Sequence, residues 1–422
     1  MNQHSNRHAL WLLYTANGIS GFAQGVSMLA IPWYFARSGE MSYYNTCYGI
    51  ITFLVLFFGL YAGTLVDKYS RKDNFLVSNL VAGFVLLAIS AIGFYSGNLP
   101  DILVISVFAI TMLSYNIHYP TLYAFGQEIT EPAYYHRLNS NIEIVGQSTS
   151  VLSGAFAAIL LEGVAVGDTR LFGLNVCMPF AIPEWNIWEI FVMDAITYFI
   201  SAMLIYFIRY TPNPALHKQV DTISQRVKAG FVYLKQHTAF LIFGIFSYAV
   251  FAMLIVEIFS LLPAYVETHL HEQGSVFAMA DGIYAFGALG AGLFVNKVFA
   301  STNKVKAVII LTLVTAAIFF WMFTSKAVWV VYIVSLILGF TNAGIRVLRL
   351  TYLFNHVPNE LMGRVNSIFN MVNVLTRAGF IFLFSTSFFT FGNHVIWAYF
   401  VMSIFLLISA LVLIFNYNKI NN

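Results

Sequence analysis

Gly63-Thr64-Leu65-Val66-Asp67-Lys68-Tyr69-Ser70-Arg71-Lys72 is a short, strongly charged stretch between two long apolar ones. Asp, Lys, Arg and Lys crowded this closely do not sit in hydrocarbon. The stretch therefore reads as a tight turn at a membrane face. A degraded echo, Gly292-Leu293-Phe294-Val295-Asn296-Lys297, aligns with Gly63 to Lys68 and carries Asn where the first copy has Asp. A repeated charged turn in so apolar a chain points to a duplicated, two-half membrane protein.

A second pair of landmarks supports duplication at nearly the same offset. Arg137-Leu138-Asn139-Ser140 and Arg364-Val365-Asn366-Ser367 each precede an apolar segment, and each follows a Pro-containing turn, at Pro132 and Pro358. Parallel halves related about the membrane normal are a known transporter plan.

Composition agrees. Of 422 residues, 59% are hydrophobic and only 9% are Asp, Glu, Lys or Arg. Soluble proteins carry about 25% charged residues, so a water-facing surface of ordinary kind cannot be assembled. Cys47 and Cys177 offer neither metal-ligand spacing nor a disulfide framework. The first apolar segment is too long for a signal-peptide core and reads as a retained span. Segments of about 20 apolar residues are expected to cross a bilayer. Twelve such segments are expected, near 10–35, 45–66, 74–96, 101–126, 139–161, 187–208, 239–265, 276–296, 305–324, 328–353, 365–389 and 394–416. The loops they define sort the basic residues. Lys68, Arg71, Lys72, Arg137, Arg226, Lys228, Lys297, Lys306 and Arg364 fall on one face; Arg37, Arg170 and Lys326 fall on the other. Retained positive charge marks the cytoplasm, so both termini are expected there.

The expected class is an all-α membrane protein with twelve transmembrane helices in two pseudo-symmetric six-helix bundles. The first bundle would span 1–208 and the second 239–422, with a cytoplasmic linker at 209–238. The linker opens with Thr211-Pro212-Asn213-Pro214. Ile223, Val227, Phe231 and Leu234 then recur at helical spacing, with Arg226, Lys228 and Lys235 elsewhere on the helix. Such a helix either lies on the inner membrane surface or is a solvated connector. The other long loop, near 162–186, is external and interrupted by Gly163, Gly167, Gly173 and Pro179.

The pattern of Gly63, Asp67, Arg71 and Lys72, a glycine, an acid four on and a basic cluster, resembles the loop-2/3 signature of the major facilitator superfamily. Phe191-Val192-Met193-Asp194-Ala195-Ile196-Thr197-Tyr198-Phe199-Ile200-Ser201-Ala202 resembles the sixth helix of the branch that holds macrolide-efflux and enterobactin-exporter-like proteins. Val357-Pro358-Asn359-Glu360-Leu361-Met362-Gly363-Arg364-Val365 does too, and Gly230 and Phe231 fit the same branch. The chain departs from the signature at Ser70, where the family usually has glycine, and at Asn296, where the echo lacks the acid. Asp67 is expected to act as a gate latch, accepting helix N-terminal amides or a basic group. Arg71 and Lys72 are placed to pair across the two halves or to serve the positive-inside rule alone. Gly59 with Gly63, and Gly287, Gly290 and Gly292, are expected to let helices approach closely.

Polar residues inside the spans carry the substrate expectation, because ionisable groups at membrane depth are functional by default. Asn17 and Gln24 share a face of the first helix; Asn116 and His118 precede Pro120 in the fourth; Glu143 and Gln147 share a face of the fifth. Asp194 lies in the sixth, Glu257 in the seventh, Asp281 in the eighth, Arg346 and Arg349 in the tenth and Arg377 in the eleventh. The resemblance implies that helices one, four, seven and ten line a cavity, flanked by two, five, eight and eleven. It makes Asn17, Gln24, Asn116, His118, Glu257, Arg346, Arg349 and Arg377 the candidate substrate-binding set. Glu143, Glu257 and Asp281 are candidates for proton coupling, since a carboxyl in a low-dielectric cavity can load and release a proton as access alternates. Arg346 and Arg349, three apart, would favour an anionic substrate if both face the cavity. They would otherwise neutralise a buried acid or snorkel to the inner face. Asp194 belongs to the branch's sixth-helix pattern and is expected to be structural.

Enzymatic readings find little support. His271-Glu272-Gln273-Gly274-Ser275 lacks the second His of a zinc protease motif, and a phosphate-binding loop is missing. No cofactor, metal or nucleic acid is expected. The expected function is secondary active transport by alternating access in a bacterial inner membrane. The branch resemblance implies efflux of a small organic solute by a proton antiporter, monomeric in the bilayer. An importer or facilitator of an organic anion is the alternative within transport, and a non-transporting scaffold or sensor the alternative outside it.

Overall fold

The computed structural model describes residues 3–131, 134–171, 174–210 and 223–421. Pro132, Gly173 and the linker turn Thr211 to Pro214 lie outside the described residues. So do the side chains of Gly63, Asp67, Ile223 and Val227.

The charged turn is as tight as its sequence demands. After α1 (Gln3–Arg37) come α2 (Met41–Lys68) and α3 (Arg71–Ser96), with only Tyr69 and Ser70 between the latter two. Ser70 caps α3, its hydroxyl accepting from Asp73 N at 3.4 Å. This satisfies one of the N–H groups that a first helical turn leaves open, a task that glycine at this position has no side chain to perform. α3 ends on Gly97, whose φ of 68° is the left-handed conformation that glycine adopts without strain.

The remaining elements follow the apolar runs. They are α4 (Asp101–Ile129), α5 (Tyr135–Glu162), α6 (Ile187–Tyr206), α7 (Ile223–Gln236), α8 (Thr238–Ser247), α9 (Ala249–Val256) and α10 (Leu262–Ala264). Then come α11 (Gly274–Val298), α12 (Lys304–Thr324), α13 (Val328–His356) and α14 (Asn359–Phe384). The short α15 (Ser387–Thr390), α16 (Val395–Phe415) and α17 (Tyr417–Asn421) close the chain. Among the described residues, eleven helical stretches are long and apolar enough to cross a membrane; α8 to Leu270 counts as one of them, Thr238–Leu270. α1 is the twelfth long helix. It falls short of that apolarity because it buries a polar row, Asn17, Ser20, Gln24 and Ser27. All twelve expected segments thus fall on helices, with ends moved by a few residues. Large apolar side chains stay open on the outside, Leu293 at 69% and Phe415 at 83% exposure. A soluble surface does not tolerate such patches on this scale, whereas hydrocarbon does.

The chain divides into two compact units, Met1–Tyr34 with Leu54–Gln219 and Phe35–Phe53 with Val220–Asn422. In the first, α3 and α6 pack closely because Gly83 leaves room for Phe199 and Gly93 for Trp188. In the second, α11 and α13 approach so closely that a Cβ at Gly287 would overlap the Leu336 carbonyl, and one at Gly339 the Tyr284 carbonyl. Gly287 meets the expectation of a close approach; at Gly292 a Cβ would meet nothing.

Two expectations change. The loop near 162–186 is not merely broken by its glycines. It forms a β-hairpin, β1 (Gly167–Leu171) antiparallel to β2 (Leu174–Met178), in a register that sets Gly167 opposite Met178. A Val164–Ile182 bridge extends the pairing, and Gly163 (φ 66°) is required at its base because a Cβ would come within 2.7 Å of Glu184 N. In the linker helix α7, Phe231 and Leu234 do not share a fate. Leu234 is buried, while Phe231 stands 59% exposed. The close approach to α14 runs through Gly230, where a Cβ would sit 2.9 Å from Arg364 O.

Candidate functional site

The seventh span does not run as an uninterrupted α-helix. Pro263 has no N–H to give the carbonyl one turn back, and its ring crowds that carbonyl. The chain widens into π turns at Glu257–Leu261 and Tyr265–Leu270, with Leu262 N donating to Glu257 O. Turns of this kind recur at functional sites, and the first begins on an acid buried to 2% exposure, Glu257.

Four further polar groups gather around Glu257. Tyr399 OH, from α16, donates to Glu257 Oε1 at 3.4 Å. Asp281 of α11 is close enough to act on Glu257 electrostatically. Tyr284, one turn on, lies within the electrostatic reach of Glu257, Asp281 and Arg346 together. Asn342 Nδ2 of α13 donates to Tyr284 OH at 2.8 Å. The close α11–α13 contact at Gly287 and Gly339 sets this geometry, since it lets Tyr284 reach across to α13. The second unit therefore joins Glu257, Asp281 and Arg346, three residues singled out in the sequence. It adds Tyr284, Asn342 and Tyr399, which sequence reading passed over. The signal for two of these was present: Tyr284 lies three after Asp281, and Asn342 four before Arg346, spacings that share a helix face.

Arg346 and Arg349 do not act as a pair. Arg346 is exposed on the side of Tyr284. Arg349 is buried, its guanidinium 3.4 Å from the centre of the Tyr248 ring and its Nη1 donating to Ser247 O at 3.0 Å. Tyr248 is itself held by Asn366 Oδ1, to which its hydroxyl donates at 2.9 Å, so an aromatic face meets Arg349 in a fixed position. Arg377 lies beside Tyr48 and 5.9 Å from the Phe251 ring centre.

The candidates of the first unit form separate contacts. His118 Nε2 and Asn17 Oδ1 are 2.9 Å apart, joining α4 to α1, and Phe75 packs edge-on against the imidazole. Gln24 is buried in α1. Asn116 donates to Met112 O of its own helix at 2.9 Å, in space left by Gly59. Glu143 accepts from Tyr123 OH at 3.2 Å. At the charged turn, Arg71 pairs with Glu128 at 3.2 Å, and Lys72 donates to the Tyr206 and Ile208 carbonyls at 2.8 and 2.9 Å. Lys72 thus neutralises the C-terminal end of α6. These contacts of both basic residues lie within the first unit. Tyr210 OH completes the cluster by donating to Glu128 Oε1 at 3.4 Å. Burial, then the Glu128 carboxylate, push its phenol up to about 12.

Comparison with known proteins fits this architecture. The model of the Major Facilitator Superfamily matches residues 13–381. The chain belongs to that superfamily. It is therefore a multi-pass membrane protein of a transporter superfamily. Its fold is similar to that of a bacterial homolog of the human lysosomal transporter Spinster (TM-score 0.72, 11% identity, 98% of this chain and 97% of that one). It is likewise similar to the POT family transporter PepTSo (TM-score 0.73, 10% identity, 98% of each chain). A D-xylose-proton symporter matches at TM-score 0.68 and 14% identity, over 96% of this chain and 97% of that one. At these identities the likeness is one of fold alone. Over 109 residues the chain is 28% identical to the multidrug efflux pump Tap of Mycobacterium bovis and Mycobacterium tuberculosis. That stretch covers 25% of this chain and 26% of Tap, so the match spans about a quarter of those relatives.

Proposed function

We propose that this superfamily member is a proton-coupled exporter of a small organic solute, working by alternating access between halves 1–208 and 239–422. It acts as a monomer in a bacterial inner membrane, with both termini cytoplasmic. The observation that carries this reading is the group of Glu257, Asp281, Tyr284 and Arg346 around a π turn. Two neighbouring acids and one base in a low-dielectric setting form a unit whose charge changes with proton load. With the proton released, the Glu257 carboxylate accepts a donor or basic group of the solute while Arg346 holds an acceptor of the same solute; with a proton on Glu257 the first of these contacts is lost. Solute and proton then exclude one another, which is the requirement of antiport. The partial likeness to a multidrug efflux pump supports the outward direction. Asp67 remains the proposed latch of the cytoplasmic gate, with Gly63, Arg71 and Lys72 shaping its turn. Glu143, with Tyr123 beside it, is a second proton carrier in this scheme.

The exposure of Arg346 favours one alternative, import or facilitated passage of an organic anion. Flux in proteoliposomes with an imposed pH gradient separates the two, using a panel of organic anions, chelates and lipophilic cations. Gradient-driven solute movement that is lost in Glu257→Gln supports the exporter. Anion flux that ignores the gradient but weakens in Arg346→Gln supports the facilitator.

A further inference from the structure

Asp194 was expected to be structural, as one member of the sixth-helix pattern. Its surroundings ask for more. It lies in α6 with 0% exposure, and neither of its carboxylate oxygens has a hydrogen-bond partner. Among the described residues no Lys, Arg or His pairs with it. What surrounds it is oxygen. Ser27 of α1 stands beside the carboxylate. Tyr198, one turn along α6, stands beside it too, with Thr111 and Ser114 of α4 next to the Tyr198 hydroxyl. The side-chain oxygens of Ser27, Thr111 and Tyr198 are all buried and all without a hydrogen-bond partner.

This is unusual packing for hydroxyl groups. Two donors beside a carboxylate, Ser27 and Tyr198, ordinarily rotate onto it, and Thr111 beside Tyr198 would join them, because an unpaired buried polar atom costs about 1–3 kcal/mol. Farther along the same helix, Ser201 shows the ordinary outcome, accepting from Asn79 Nδ2 at 3.2 Å. Oxygens that crowd together without bonding one another have a simple physical use. Around a hard cation with metal–oxygen distances of about 2.3–2.6 Å, adjacent ligand oxygens stand roughly 3.3–3.7 Å apart, beyond good hydrogen-bond length. A single carboxylate among neutral hydroxyls balances one positive charge. Calcium sites take 6–8 oxygen ligands, typically with several carboxylates, and magnesium keeps its own waters. Neither suits a dry site with one acid.

We propose that Asp194, Ser27, Thr111 and Tyr198 form a sodium-binding site within the first unit, tying α1, α4 and α6 together. The site is distinct from the Glu257 group, which lies in the other unit. It holds whichever solute is moved and whether or not Glu257 carries protons.

The test is thermal unfolding of the purified full-length protein in detergent, followed by Trp fluorescence, in sodium, potassium or choline chloride at equal ionic strength. A ligand that binds only the folded state raises its melting temperature with saturating dose. The expected result is a saturable rise of a few degrees or more in sodium alone. It is lost in Asp194→Asn, and its midpoint concentration moves up about tenfold or more in Ser27→Ala and Thr111→Val. Equal melting temperatures in the three salts, or a sodium response that persists in Asp194→Asn, overturn the site. Should Asp194→Asn fail to fold, unchanged midpoints in Ser27→Ala and Thr111→Val overturn it equally. Glu257→Gln must retain the sodium response, so failure of the proton-coupling reading and failure of the sodium site are told apart.

Discussion

Asp194 and Glu257 are two acids at membrane depth, equally withdrawn from solvent, and their neighbours make them different devices. Asp194 sits on a regular helix among hydroxyls that bond neither to it nor to one another. Glu257 sits where Pro263 has widened its helix, with Asp281 and Tyr399 beside it and Tyr284 within reach of both acids and of Arg346. Burial alone therefore does not tell what an acid in a transporter does. A carboxylate ringed by neutral oxygens suits a permanent small cation. One that shares its site with another acid and a base suits a proton that comes and goes.

Five variants test this contrast. The harshest is Gly339→Val. Its side chain would be driven into the Tyr284 carbonyl, forcing α11 and α13 apart at a cost of about 3 kcal/mol or more. A marked drop in melting temperature and loss of flux are expected, and a variant that transports normally breaks the account of how Tyr284 is positioned. Glu257→Gln comes next. Solute flux driven by a pH gradient should fall about a hundredfold, a loss of about 2.7 kcal/mol, while binding of solute without a gradient survives. A Glu257→Gln protein that still follows the gradient moves the coupling role to Glu143 or Asp281.

Arg349→Ala against Arg346→Ala sharpens the comparison within the second unit. Removing Arg349 from the Tyr248 face and from Ser247 O should cost about 2–3 kcal/mol of stability, read as a lower melting temperature. Removing Arg346 should leave melting unchanged and raise the KM for solute instead. Reversed outcomes would exchange their roles. The smallest effect is expected at the charged turn. Ser70→Ala removes the cap of α3 and should cost about 1 kcal/mol, with no change in proton or sodium response.

Much of the fold is legible in one dimension. The twelve spans follow from apolar runs, and the turn at Tyr69 and Ser70 from the charges that flank it. The β-hairpin at Gly167–Met178 was not legible, because its glycines read as breaks and its strands are too short to outweigh them. Of the candidate site, the acids and arginines stood out, since ionisable residues in hydrocarbon are conspicuous. Tyr284, Asn342 and Tyr399 did not, because Tyr and Asn are unremarkable in an aromatic-rich membrane chain. The split between Arg346 and Arg349 was equally hidden. It depends on a tyrosine ring a hundred residues away in the chain, as the Ser247 contact at a separation of 102 shows.

Class, span number and the charged turn of this protein were decided residue by residue along the chain, because transfer into hydrocarbon is a local cost that each segment meets by itself. Which acid meets which base was decided only when helices became neighbours. Gly287 and Gly339 bring α11 and α13 within reach, Pro263 widens the helix under Glu257, and α1, α4 and α6 gather hydroxyls about Asp194. Electrostatic chemistry depends on distances of a few ångströms between groups far apart in sequence, and those distances exist only in the packed molecule.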